Sequence, residues 1–173
     1  FWRTSLETPY TSPDFYSDGL DPNVYVSREY APLSVRLRAY TTYARAVPEA
    51  LQNLRTNLRT PLPRTFIALA RTSVRGLASY YKDDVPGVFA SVRDAELQED
   101  FRQANAEASV AMLDLDTWFE SLEPDATNDF AMGAERFSEM LRATERVDID
   151  LDELERVGRS DLERNLEAIA GAC

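Results

Sequence analysis

Histidine is absent from all 173 residues. That one gap excludes every Ser-His-Asp or Cys-His arrangement, every His-ligated metal and histidine as a general base. The single cysteine, Cys173, closes the sequence, so no internal disulfide and no cysteine cluster can form, and it says little about redox compartment. Six glycines are too few and too scattered for a phosphate-cradling loop, and neither G-x-G-x-x-G nor a Walker pattern occurs. No apolar run reaches the roughly 18 residues that a membrane-spanning helix needs. The N-terminus lacks the basic-then-apolar pattern of a secretory signal, and the first residue is Phe1 rather than Met. A processed product or a piece of a longer protein is therefore expected.

What is present is acidic and moderately apolar. The net charge is −11, hydrophobic residues make up 44% and aromatics 10%, enough for one packed core. The charge is divided unevenly. Residues 1–86 carry 11 basic and 8 acidic side chains, whereas residues 87–173 carry 8 basic and 22 acidic. Ten basic residues lie between Arg28 and Lys82, against only Glu29 and Glu49. A nucleic-acid surface built on Arg36, Arg38, Arg45, Arg55 and Arg59 is one reading of that stretch. The whole-chain charge repels phosphate, and Lys82 is the sole lysine. The preferred expectation is that the basic stretch packs beside the acidic half of its own fold, with no nucleic-acid partner.

Residues 1–31 read as an irregular segment lying along a helical body. Pro9, Pro13, Gly19 and Pro22 punctuate it, and Trp2, Tyr10, Phe15, Tyr16, Tyr25 and Tyr30 are interleaved, seeking a surface to bury against. An aromatic ligand platform is the alternative. From Pro32 the period turns helical, with Leu33, Leu37, Tyr40 and Ala44 on one face. Val47-Pro48 predicts a break or kink, and Leu51, Leu54 and Leu58 mark a second helix. A third starts near Arg64, carries Ile67, Ala70, Val74, Leu77 and Tyr81, and runs out near Lys82 ahead of Pro86-Gly87. The fourth is the clearest. Leu97, Phe101, Ala104, Ala108, Ala111, Leu115, Trp118 and Leu122 alternate spacings of 4 and 3, with small residues mid-seam where another helix can approach. A fifth starts near Gly133, with Phe137, Leu141 and Thr144 on one side. A sixth follows Asp148-Ile149-Asp150, with Leu151, Leu154, Val157, Leu162, Leu166 and Ile169 as its apolar face. Nothing alternates with period 2 well enough for a sheet. The fold class expected is all-α, with about six antiparallel helices and a Pro/aromatic-rich N-terminal segment, forming a single helical domain or fragment over 1–173.

Candidate chemistry is thin. Asp148, Asp150 and Asp152 match positions 1, 3 and 5 of a calcium loop. The glycine and glutamate required at positions 6 and 12 are instead Glu153 and Arg159. Helix initiation explains these acids better, and Asp94-Ala95-Glu96 reads the same way. Ser73, Ser79 and Ser109 have no histidine to activate them. Lys82 beside Asp83 and Asp84 resembles a solvated helix end more than a Schiff-base lysine. Trp118, Phe119 and Leu122 read as core, and Tyr80-Tyr81 as one ring in and one out. No catalytic, cofactor-binding or metal-ligating residue is assigned.

Six segments come in a particular order: Asp21–Tyr25, Ala31–Leu37, Val47–Leu58, Pro61–Phe66, Phe130–Phe137 and Leu151–Gly158. Together they resemble the interior of the large bacterial family catalogued as domain of unknown function 885. The resemblance implies a long, mostly helical protein similar to zinc peptidases of the carboxypeptidase type, with a His-Glu-x-x-His helix downstream. On such a helix two histidines hold zinc and the glutamate activates water. None of those ligands can be carried onto this sequence, since it has no histidine. Gly133, Phe137 and Leu141 fit a family pattern and imply a close helix contact.

The expected function is therefore a helical scaffold portion of a zinc-dependent peptidase-like protein, inert alone, with a peptide substrate and zinc belonging to the longer parent. Its partners would be the remainder of that polypeptide, or another copy through exposed helical faces. The competing expectation is a self-contained helical interaction module. Bacterial cytoplasmic and exported locations both stay open.

Overall fold

A computed structural model describes residues 1–172. They form two compact units, Trp2–Phe130 and the residues from Ala131 onward. The described residues contain no strand; the backbone is helical almost throughout.

The first unit is built on helices α1 (Leu33–Asn57), α2 (Arg64–Ser79), α3 (Val85–Phe89) and α4 (Ala95–Ser121). Helix α4 packs against both α1 and α2. Its start follows from Asp94, whose carboxylate accepts from the Leu97 N–H at 3.0 Å and caps the first turn. The seam read from the sequence faces inward at Leu97, Phe101, Ala104, Ala108 and Leu115. Met112 and Phe119 replace Ala111 and Trp118 as its deepest later positions, because a straight helix drifts against a strict 4–3 alternation. Side-chain pairs fix the directions. Arg38 meets Asp94 and Arg45 meets Asp100, so α1 runs in the same sense as α4. Arg71 meets Asp116 and Ser109 meets Ala78, so α2 runs opposite to α4. The three long helices go up, down and up.

Pro48 does not divide α1, contrary to the sequence expectation. One helix of 25 residues runs through it. Proline inside a helix costs roughly 3 kcal/mol, mainly through the lost N–H. Val47, Leu51 and Leu54 are all nearly fully buried around it, and their packing offsets that cost. Nor does the third helix end near Lys82. The backbone stays helical to Phe89 through one wide π turn, Tyr80–Asp84. Pro86 falls in the first turn of α3, where its missing donor is tolerated.

Residues 1–31 are not irregular throughout. They hold three short α-helical turns, Thr8–Thr11, Ser17–Leu20 and Asn23–Val26, and a 3₁₀ turn at Pro13–Tyr16. From residue 2 onward the segment is fastened to the helices. Leu20 and Val26 are buried. Arg36, itself buried, reaches back and donates to the carbonyls of Arg28 at 2.8 Å and Val26 at 3.4 Å. Arg59 pairs with Glu7 at 2.8 Å and lies 4.8 Å from the Tyr10 ring centre. At the other end, Pro63 and Thr127 form an isolated parallel bridge. Thr127 donates to Leu62 and accepts from Arg64, which ties the chain after α4 to the entry of α2.

The second unit contains α5 (Gly133–Met140), a π turn at Leu141–Glu145 and α6 (Leu151–Ala172). Asp150 starts α6, its carboxylate accepting from the Asp152 N–H and its carbonyl from the Leu154 N–H. Among the described residues from 131 onward none is buried.

Candidate functional site

The first unit offers a buried polar network and a cavity. Both depend on the π turn or on the N-terminal segment.

The network surrounds Tyr40 and Tyr81, which have no exposed surface. The Tyr40 hydroxyl donates to the Asn105 side-chain oxygen, in a very short contact. The Asn105 amide donates to the Tyr81 carbonyl at 2.7 Å, and Ser109 donates to the Ala78 carbonyl at 3.0 Å. These carbonyls lie at the π turn, where the regular ladder is interrupted, and α4 supplies their partners. The Tyr81 hydroxyl donates to the Leu20 carbonyl at 3.0 Å and stands 3.0 Å from the Tyr43 hydroxyl, which donates to the Gly19 carbonyl. Burial pushes the Tyr43 hydroxyl up to about 12, even though the bond with Tyr81 pulls the other way. Burial drives Tyr40 and Tyr81 upward as well. These hydroxyls therefore stay neutral at physiological pH, which suits a structural role over proton transfer. Around them, Tyr40, Phe89 and Phe101 form an aromatic cluster with ring centres 5.6–5.7 Å apart.

An ionic cluster closes the other end of the α2–α4 contact. Arg71 donates to Asp116 at 2.8 Å and to Glu120 at 3.0 Å, and also pairs with Glu123; Arg75 takes the second oxygen of Asp116 at 2.8 Å. Burial pulls the Asp116 carboxyl upward, but the two guanidiniums outweigh it and hold the group below the usual carboxylate range.

The cavity lies between the N-terminal segment and α2 and has a volume of about 170 Å³. Leu20, Leu54, Val74 and Phe119 form its buried interior, and the exposed Asp14 lies on its rim. Ser17 donates to the Asp14 carboxylate at 3.1 Å. Ser73, half-buried on the α2 wall, finds no hydrogen-bond partner among the described residues.

The residues weighed in the sequence fall as follows. Arg38, Arg45 and Arg59 are each paired with a carboxylate of this chain, Arg36 is buried and donates to two backbone carbonyls, and the buried Nε of Arg55, like that of Arg36, has no partner among the described residues. Ser109 is a core hydroxyl, Ser79 is exposed and Lys82 is an exposed member of the π turn. Tyr81 points in, while Tyr80 is half-buried. Asp148 pairs with Arg142 and Glu153 with Arg156. Among the described residues no three of His, Cys, Asp and Glu gather into a metal-holding group. Among the described residues no ligand set fits the zinc that the resemblance implies.

The expectation for Gly133 is corrected as well. Gly133 is not a point of close helix approach, because a side chain there would meet nothing within 4 Å. Its φ of 79° is what requires glycine at this position. Asn105, Asp116 and Asp14 were missed. Asn105 and Asp116 had a visible signal, being polar residues at inward positions of the α4 seam. Asp14 had none, because the segment that carries it has no period.

These features define the class first: an all-α protein whose ordered core is three long helices with a strapped N-terminal segment. The chain belongs to the family described as bacterial protein of unknown function (DUF885), whose model matches residues 6–173. No curated protein and no solved structure matches the chain. No helix among the described residues is long and apolar enough to cross a membrane.

Proposed function

We propose that this chain is a helical scaffold portion of a zinc-dependent peptidase-like protein and is not catalytic by itself. The observation that carries the scaffold reading is the apolar row on α6. Leu162, Leu166 and Ile169 are 56–62% exposed, at spacings of 4 and 3 that put them on one helical side. An amphipathic helix draws most of its stability from burying such a side. Further polypeptide of the parent is the occupant that the resemblance of the ordered segments implies. The zinc and peptidase parts rest on the resemblance of the ordered segments, and this chain supplies no ligand toward them.

The test is to read the source gene past Cys173 and express the longer product. The expected result is a downstream His-Glu-x-x-His helix, zinc bound in the longer product, and slower hydrogen exchange in α6 there than in this chain. A stop codon directly after Cys173, or zinc-dependent peptide hydrolysis by this chain alone, would overturn the proposal.

A second reading starts from the buried core that the first unit has of its own: a self-contained helical interaction module without catalysis. Under that reading the chain sediments as a defined, concentration-dependent oligomer or captures a protein partner through α6. A longer parent is then unnecessary.

A further inference from the structure

The cavity between the N-terminal segment and α2 has both a size and a polarity. We propose that it binds a small organic ammonium whose apolar part is about the size of a benzyl or isobutyl group. This inference is independent of the scaffold reading.

Three observations lead there. The volume, about 170 Å³, is close to the roughly 150 Å³ of engineered apolar cavities that take up benzene. The interior is apolar: Leu20, Leu54, Val74 and Phe119 are each at most 5% exposed, and they offer the ligand carbon surface. The only charged side chain on the lining is the carboxylate of Asp14, and no basic residue lines the cavity to neutralise it. The hydroxyl of Ser17 donates to that carboxylate and orients it. The half-buried hydroxyl of Ser73, also on the lining, is unpartnered among the described residues and supplies an acceptor. An apolar body inside with a cation at the rim matches this division, following the usual pattern of small-molecule sites. A carboxylate at the same rim would meet Asp14 and be repelled. A neutral alcohol could use the hydroxyl but would gain nothing from the charge.

The probe is phenethylamine, titrated into the whole ¹⁵N-labelled chain and followed by amide shifts. Saturable shifts are expected in residues 12–20 and 66–77, with a Kd of about 1 mM or tighter. 2-Phenylethanol should bind at least about fivefold more weakly, and 3-phenylpropionate more weakly again. Asp14→Asn keeps an acceptor for Ser17 and should erase the difference between the amine and the alcohol. Ser73→Phe fills the cavity from its wall and should abolish the shifts. The comparison of the three probes on the native chain does not depend on any variant folding. No saturation by about 10 mM phenethylamine, shifts that map elsewhere, or equal binding of amine and alcohol would each overturn the proposal.

Discussion

Two stretches of this chain carry helical apolar patterns and end differently. The α4 seam is interior: Phe101, Ala108, Met112 and Phe119 are at most 2% exposed. The α6 row is exterior: Leu162 and Ile169 are 58% and 62% exposed. A helical period therefore shows that a helix has two sides and says nothing of whether a partner is present. The α4 helix has α1 and α2 to pack on. The α6 helix is fixed by Asp150 at its start and by exposed pairs such as Glu155–Arg159, which contribute little individually.

This contrast makes its strongest statement at Phe101. Phe101→Ala removes the ring that packs on Tyr40 and Phe89 and should cost about 3–5 kcal/mol, read as a lower urea midpoint. Asn105→Ala comes next. It strands the Tyr81 carbonyl and the Tyr40 hydroxyl, for about 2–3 kcal/mol by the same measurement. Asp116→Ala leaves Arg71 and Arg75 without their shared carboxylate and should cost about 2 kcal/mol at neutral pH. Because the folded Asp116 carboxyl titrates below its unfolded value, its stabilisation is present above the unfolded pKa of about 4 and is lost as pH falls further. The difference between native and Asp116→Ala midpoints should therefore shrink below pH 4. Leu162→Ala is the smallest, within about 0.5 kcal/mol. A loss there as large as at Phe101 would mean that α6 is buried in solution and would dissolve the contrast.

An alkaline titration sharpens the same comparison from the polar side. Tyr43 titrates at about 12 in the fold, against about 10 in an unfolded chain. Its contribution is present below pH 10 and declines as pH rises from 10 toward 12. Tyrosinate absorbance should therefore show Tyr40, Tyr43 and Tyr81 ionising late and together with unfolding.

The all-α class and the start of α4 were legible because they depend on local chemistry. Phe101, Ala104 and Ala108 recur with the helical period, and Asp94 is a capping residue where a cap is needed. The continuity of α1 through Pro48 was not legible, since it depends on how Val47, Leu51 and Leu54 pack against helices distant in sequence. The cavity was hidden for a similar reason: Leu54, Val74 and Phe119 come from three helices, and Leu20 comes from a segment with no period. Even in α4 the tail of the seam was only partly placed: Phe119 was read as core and is fully buried, but Met112 faces inward where Ala111 was expected, and Trp118 is half-exposed.

The π turn between α2 and α3 absorbs one residue without changing the direction in which the chain continues. A regular helix advances about 100° per residue, and a π turn holds about one residue more than an α turn. Removing a single residue from Tyr80–Asp84 would let the helix close as a regular α turn and would leave Val85 and Phe89 on nearly the face they now occupy. Phe89 would keep the rings of Tyr40 and Phe101 that it now touches. A one-residue deletion in the regular turns of α2 has no such buffer and would turn everything after it by about 100°.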